Sequence, residues 1–154
     1  YTMMTMCPTC YELYSDIWSK PCCNCTDKTV PVEARLINAV QMLLDRGFKV
    51  VNATCYPDKE QGEREAMQIE IRFGKVYPQA LFDELPPDWE VTDEYLIIDD
   101  QTVDEPVDIL TCEIEYQLDE SINVQREIAI SNLETWLEEK DPQACKALIA
   151  LSGC

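Results

Sequence analysis

Two Cys-x-x-Cys pairs near the start of the chain constrain its fold more than any other feature. Cys7-Pro8-Thr9-Cys10 is the first, and Cys22-Cys23-Asn24-Cys25 contains the second, with eleven residues between them. A Cys-x-x-Cys turn aims two thiolates at one point, and two such turns complete a tetrahedral all-sulfur site. Zn(II) suits it, having no geometric preference of its own and Zn–S bonds of about 2.3 Å. The spacing therefore predicts a zinc ribbon over residues 1–28, with Cys7, Cys10, Cys22 and Cys25 as ligands. Cys23 can replace Cys22 in that set. A disulfide pair or an iron–sulfur cluster is the other use open to the four thiols. With no open coordination position the zinc would staple the fold rather than catalyse. Between the turns, Tyr11-Glu12-Leu13-Tyr14 is expected to pair with Asp16-Ile17-Trp18 as a short hairpin. Tyr14 and Trp18 either contact a partner protein or pack on the body.

The chain has nine cysteines, and the four outside the cluster stand singly at Cys55, Cys112, Cys145 and Cys154. The odd count and the lack of a basic-then-apolar leader at Tyr1-Thr2-Met3-Met4 argue against a secreted disulfide scaffold. A cytoplasmic protein is expected, and the missing initiator Met leaves room for residues upstream. Cys55, Cys112 and Cys145 fall in strand or helix patterns and are expected as small core residues. There is no histidine. That removes the usual general base and the usual nitrogen ligand for a metal.

Charge is distributed as unevenly as cysteine. Residues 76–125 hold fifteen Asp or Glu and no Lys or Arg, whereas residues 1–75 hold ten acids and nine bases. Nearly all of the formal charge of -18 therefore lies on the second half. A salt-adapted surface would be acidic throughout. Hydrophobic content of 46% is enough for a real core, so the acidity is not a mark of disorder. No apolar run approaches the ~18 residues of a membrane span, and anionic lipid would repel this surface.

The periodicities predict an α+β domain over residues 29–154, with an antiparallel sheet of about four strands covered by helices. A first helix is expected from Pro31 at its first position, with Glu33 at its positive end, an apolar stripe of Leu36, Val40, Leu43 and Leu44, and Gly47 as its stop. Strands are expected over residues 48–53, 67–73, 95–98 and 110–116, a short helix over 78–85, and loops over 56–65 and 99–108. Two C-terminal helices complete the pattern, from about Ser121 to Lys140 and from a cap at Asp141 with Pro142 behind it to Gly153.

A four-cysteine ribbon, a helix, and then Leu43-Leu44-Asp45-Arg46-Gly47-Phe48-Lys49-Val50 form an order of parts that resembles small uncharacterised proteins of phages and prophages. Leu85-Pro86-Pro87-Asp88-Trp89 is similar to a downstream segment of the same proteins. The resemblance covers roughly residues 7–100 and implies a phage or mobile-element origin. The chain departs from it at Thr54-Cys55-Tyr56-Pro57, which lacks that family's Ser-Gly-His.

These features point to a non-enzymatic binding protein. A nucleic-acid duplex carries one charge per about 1.7 Å of axis, and its binders carry matching Lys/Arg grooves. Carboxylates on a folded scaffold can occupy such a groove and block it, as an inhibitor of a host defence protein would. The candidate contact residues are Asp99, Asp100, Asp104, Glu105 and Asp108 in the acidic loop, with Glu113 and Glu115 on the following strand. The expected partner is a basic protein, with no direct contact to nucleic acid and none to membrane. An adaptor whose acidity only confers solubility is the alternative. A metal-dependent enzyme is the third reading, and it lacks the bases that would hold a phosphate substrate. Pro57-Asp58 with Glu70-Ile71-Arg72 is a weak match to a restriction-nuclease pattern, without its lysine. The acidic loop also lacks the spacing and glycine of an EF-hand.

Overall fold

The computed structural model describes residues 3–15, 20–57, 64–98, 101–117 and 122–152. It is α+β, as expected, but the sheet has seven strands rather than about four, and it is mixed rather than antiparallel. The strands are β1 (Met3–Met6), β2 (Leu13–Ser15), β3 (Val30–Glu33), β4 (Val50–Pro57), β5 (Arg64–Phe73), β6 (Trp89–Ile98) and β7 (Gln101–Gln117). The helices are α1 (Ile37–Asp45), α2 (Ile122–Glu138) and α3 (Pro142–Ser152). The strands lie in the order β2-β1-β3-β4-β5-β7-β6.

Three of the additional strands come from the N-terminal region. β1 pairs with β2 and with β3, both antiparallel, so the cysteine unit and the acidic body share one sheet. The hairpin partner of Leu13–Ser15 is therefore Met3–Met6; Asp16-Ile17-Trp18 lie outside the described residues. β3 then meets β4 in parallel at a single pair, Val32↔Ala53.

Pro31 sits within β3, opposite Thr5, and not at the first position of a helix. A short ladder to β4 leaves few bonds for its missing N–H to interrupt. The helical turn begins later. The buried Glu33 carboxylate accepts from the Arg35 N–H at 2.8 Å and caps a 3-10 turn over Ala34–Leu36, which leads into α1.

The acidic segment expected as a loop over 99–108 is mostly strand. β7 is seventeen residues long and pairs with β6 over Gln101 to Cys112 and with β5 over Ile109 to Gln117. Pro106 and the local charge weaken strand propensity, but cross-strand pairing overrides them. Pro106 lies where β7 has outrun β5 and pairs with β6 alone. A missing N–H is tolerated there. The expected helix over 78–85 is one 3-10 turn, Gln79–Phe82.

Alternation divides the sheet into two faces. Ala53, Ile69, Ile71, Phe73, Leu110 and Cys112 turn to one side and form the core with Val40 and Leu43 of α1 and Ala129, Leu133 and Leu137 of α2. Trp89 Nε1–H donates to Ala129 O at 3.1 Å and Trp136 Nε1–H to Asp83 O at 2.9 Å, pinning α2 on that face. The other face carries Glu70, Arg72, Glu90, Glu94 and Glu113. Arg72 bonds Glu70 at 2.8 Å and reaches to 3.7 Å from Glu94, spanning β7 at the level of the buried Val107 and Ile109.

Helix ends follow the expected chemistry. Asp141 Oδ2 accepts from Ala144 N–H and caps α3. At the end of α1, Phe48 N–H reaches Leu43 O and Gly47 N–H reaches Leu44 O, both at 3.1 Å, with Gly47 at φ +94°. This is a Schellman closure around a left-handed C′ residue. The buried Arg46 beside it donates to Leu137 O, Lys140 O and Met42 O, placing one cation at the negative ends of α1 and α2 together.

A Cβ at Gly47 would lie 3.1 Å from Lys146 Cγ and 3.3 Å from Ile149 Cδ1 of α3. Gly47→Ala should therefore lose about 1–2 kcal/mol in denaturant melts, from left-handed strain alone, and more if α3 is displaced. An unchanged midpoint would contradict the closure.

Candidate metal centre

Each Cys-x-x-Cys pair lies in the same backbone loop. In the first, Cys7 N–H donates to Glu12 O at 2.9 Å and Tyr11 N–H to Cys7 O at 3.0 Å. In the second, Cys22 N–H donates to Asp27 O at 2.8 Å and Thr26 N–H to Cys22 O at 2.9 Å. The residue after the second cysteine is left-handed in both: Tyr11 at φ 64° and Thr26 at φ 60°. Glycine would be the unstrained choice at both places, and a β-branched Thr there is unusual. Two equivalent strained turns imply that something outside the backbone holds them closed.

The loops face each other. Thr9 Oγ1 donates to Asp27 Oδ2 at 2.5 Å and links them. The sulfurs of Cys7, Cys10, Cys22 and Cys25 all lie within 4.8 Å of one another, with Cys10 and Cys22 at 3.6 Å. A tetrahedron with bonds of ~2.3 Å has edges of ~3.8 Å, so the group is close to ligand spacing. It is far from the ~2.05 Å of a disulfide, and all four are free thiols. These four residues lie close enough to hold a metal ion. Cys22 belongs to the group, and Cys23 is exposed outside it.

Secondary contacts orient the sulfurs. Thr9 N–H donates to Cys7 Sγ at 3.4 Å. Tyr14 Oη donates to Cys22 Sγ at 3.4 Å and accepts from Cys23 N–H at 3.1 Å. The Tyr14 hydroxyl holds the Cys22 thiol down at about 6, against burial. Hydrogen bonding to Cys10, then burial and Cys7, pushes the Cys25 thiol up to about 12. A divalent ion held by these four sulfurs would favour the thiolate form of each.

The three single cysteines among the described residues are core residues, as expected. Cys55, Cys112 and Cys145 are buried. Burial pushes the thiols of Cys55 and Cys112 up to about 12, with Glu33 adding to the effect at Cys55. Such thiols are poor nucleophiles.

The acidic candidates do not form one loop. Asp99 and Asp100 lie outside the described residues. Asp104 and Glu115 lie in β7, Glu115 opposite Ala66. Glu105 and Glu113 are exposed. Alternation along β7 puts them on the sheet face away from the helices.

Asp108 is a correction. It is 5% exposed and turns to the helix side, where its Oδ2 accepts from Tyr77 N–H at 2.9 Å. It is a structural acceptor inside a strand, not a loop carboxylate. Three exposed acids on β6 were missed: Glu90, Asp93 and Glu94. The alternation of Trp89 and Val91 with Glu90 and Thr92 was the available signal.

Comparison of the chain with family models, with curated proteins and with solved structures finds no match.

Burial carries the Asp108 carboxyl above its ordinary range; the Tyr77 N–H opposes this and Asp93 adds to it. The folded state then holds the Asp108 proton more tightly than the unfolded chain. Its contribution is full below the unfolded pKa and is lost as pH rises through the folded one. Asp108→Asn should flatten the fall in stability with rising pH across that acidic window. Asp108→Ala should lose about 1–3 kcal/mol at all pH values by orphaning Tyr77 N–H. Equal urea midpoints for the parent and both variants at every pH would refute the assignment.

Proposed function

We propose that this chain is a non-enzymatic acidic binding protein, stapled by structural zinc, that docks on a basic nucleic-acid-binding groove of another protein and blocks it. One observation carries the reading. Of the nine acids in residues 76–125 whose side chains are described, eight are exposed, with no Lys or Arg in the segment to neutralise them. Glu90, Glu94, Glu105 and Glu113 share the sheet face away from the helices. Arg72 is the one described base among them, and it is paired with Glu70 and Glu94. Rigid carboxylates on a strand face hold their spacing, as a phosphate backbone does. Like charges held so close repel, and a Lys/Arg groove relieves that repulsion. The resemblance to phage proteins makes a host defence protein a fitting target. The buried single thiols and the closed four-sulfur group offer no nucleophile and no open metal position.

Zinc fits the donor set. Four thiolates select a soft, tetrahedral ion, and the closed group leaves the metal a stapling role. One zinc ion should be found per chain by elemental analysis. Cys10→Ser should weaken metal retention and lower the melting temperature, since structural zinc supplies about 10–16 kcal/mol of binding energy in small zinc-finger peptides. A metal-free parent that melts with the Cys10→Ser variant would exclude the staple.

Blocking is tested by competition. A protein captured from cell lysate at low salt should be released by duplex DNA and by raised salt, with affinity falling steeply as salt increases. Glu105→Lys/Glu113→Lys should leave the fold intact and abolish capture. If the double variant captures the same protein equally well, or capture is indifferent to salt, the acidity serves solubility alone.

A further inference from the structure

The two edges of the sheet are treated differently. At one end β2 is three residues long, too short to template another strand. At the other end β6 is ten residues long, and β7 is its only bonded strand among the described residues. Its register against β7 is continuous from Trp89 to Tyr95 and shifts only after Tyr95. No Pro or Lys interrupts that stretch. Every second residue of such an edge turns its N–H and C=O outward. Of the usual protections, short length, proline, lysine and bulges are absent from residues 89–95, and charge is present, as Glu90, Glu94 and the helix-side Asp93. Glu90, Thr92, Asp93, Glu94 and Tyr95 are all exposed, Tyr95 at 55%.

The side chains of this edge have a readable pattern. Glu90, Thr92 and Glu94 alternate on the face away from the helices. Trp89, Val91 and Tyr95 alternate on the helix side, with Asp93 among them. A strand added here would meet carboxylates on one face and, on the other, Val91 and Tyr95 with Asp93 between them. A second copy of β6 would set like charges side by side, which disfavours pairing.

We propose that the free edge of β6 receives an extended segment of a partner protein as an eighth strand, basic at alternate residues and apolar between them. The inference rests on the acidic-docking reading above and adds its mode. Main-chain bonds along the edge supply affinity, and the alternation supplies selection.

The probe is a synthetic peptide of alternating Lys and Val, about ten residues long. Its control replaces every Val by Pro, which keeps the charge, removes half of the backbone donors and puts a ring at every second residue where a ladder cannot accommodate it. The Lys–Val peptide should bind and slow hydrogen exchange at residues 90–95, and the Lys–Pro peptide should bind at least about tenfold more weakly. Glu90→Lys/Glu94→Lys should also weaken Lys–Val binding about tenfold, whereas Glu127→Lys/Glu138→Lys on α2, with the same charge change, should alter it less than about threefold. Circular dichroism establishes that both variants fold. Equal binding of the two peptides without protection of β6 overturns strand addition and leaves acidic docking standing. Failure of both peptides and of polylysine at low salt overturns acidic docking as well. If the protein alone sediments as a dimer with β6 protected, the edge belongs to a second copy and the proposal is wrong.

Discussion

Four sulfurs gathered within 4.8 Å are the constraint on which the N-terminal half depends. Two turns strained at Tyr11 and Thr26 are held against each other by that group and by the Thr9–Asp27 bond. Strand β1 enters the first turn directly, since Met6 is buried in the core and Cys7 follows it. The second turn leads within a few residues into β3. Opening the sulfur group would free both sides of the β1–β3 ladder. Burial of Met6, Val30 and Val32 would then lack the geometry that aligns it.

Local chemistry was legible in the sequence, and long-range pairing was less so. The ligand spacing, the Gly47 stop, the Asp141 cap and the alternation of Met67 to Phe73 each depend on neighbours a few residues away. Pro31-Val32-Glu33 misled because proline followed by an acid also describes a helix start. Its role in β3 depends on β1 and β4, which lie far off in sequence. The acidic stretch before Asp108 misled in the same way. Charge and Pro106 argue for a loop, and only the presence of β6 alongside turns it into strand. Met3–Met6 has no alternation to read, and its place between β2 and β3 is a property of the assembled sheet.

The carboxylates sort by what meets them. Glu33, Glu70 and Asp108 are buried, and each has a donor: Arg35, Arg72 and the Tyr77 N–H. Among the described residues, the exposed acids of β6 and β7 have few such partners, and Arg72 reaches across to Glu94. A donor offsets part of the desolvation cost of burial, and exposure without one costs repulsion that a counter-charge or salt relieves. The same residue type therefore builds the fold where a donor meets it and charges the surface where none does.

The parallel contact of β3 with β4 at Val32↔Ala53 has a mechanical consequence. It is a seam in the sheet. On one side lie β1 to β3 and the sulfur group; on the other, β4, β5, β7 and β6 pair antiparallel over long ladders. Core side chains cross the seam, but almost no ladder bonds do. Opening of the native state should follow this line, giving two cooperative units with different slowest-exchanging amides. Metal and thiol protonation would govern the first unit. Apolar burial against α2 would govern the second, so the acidic edge would keep its shape through excursions that expose the sulfurs.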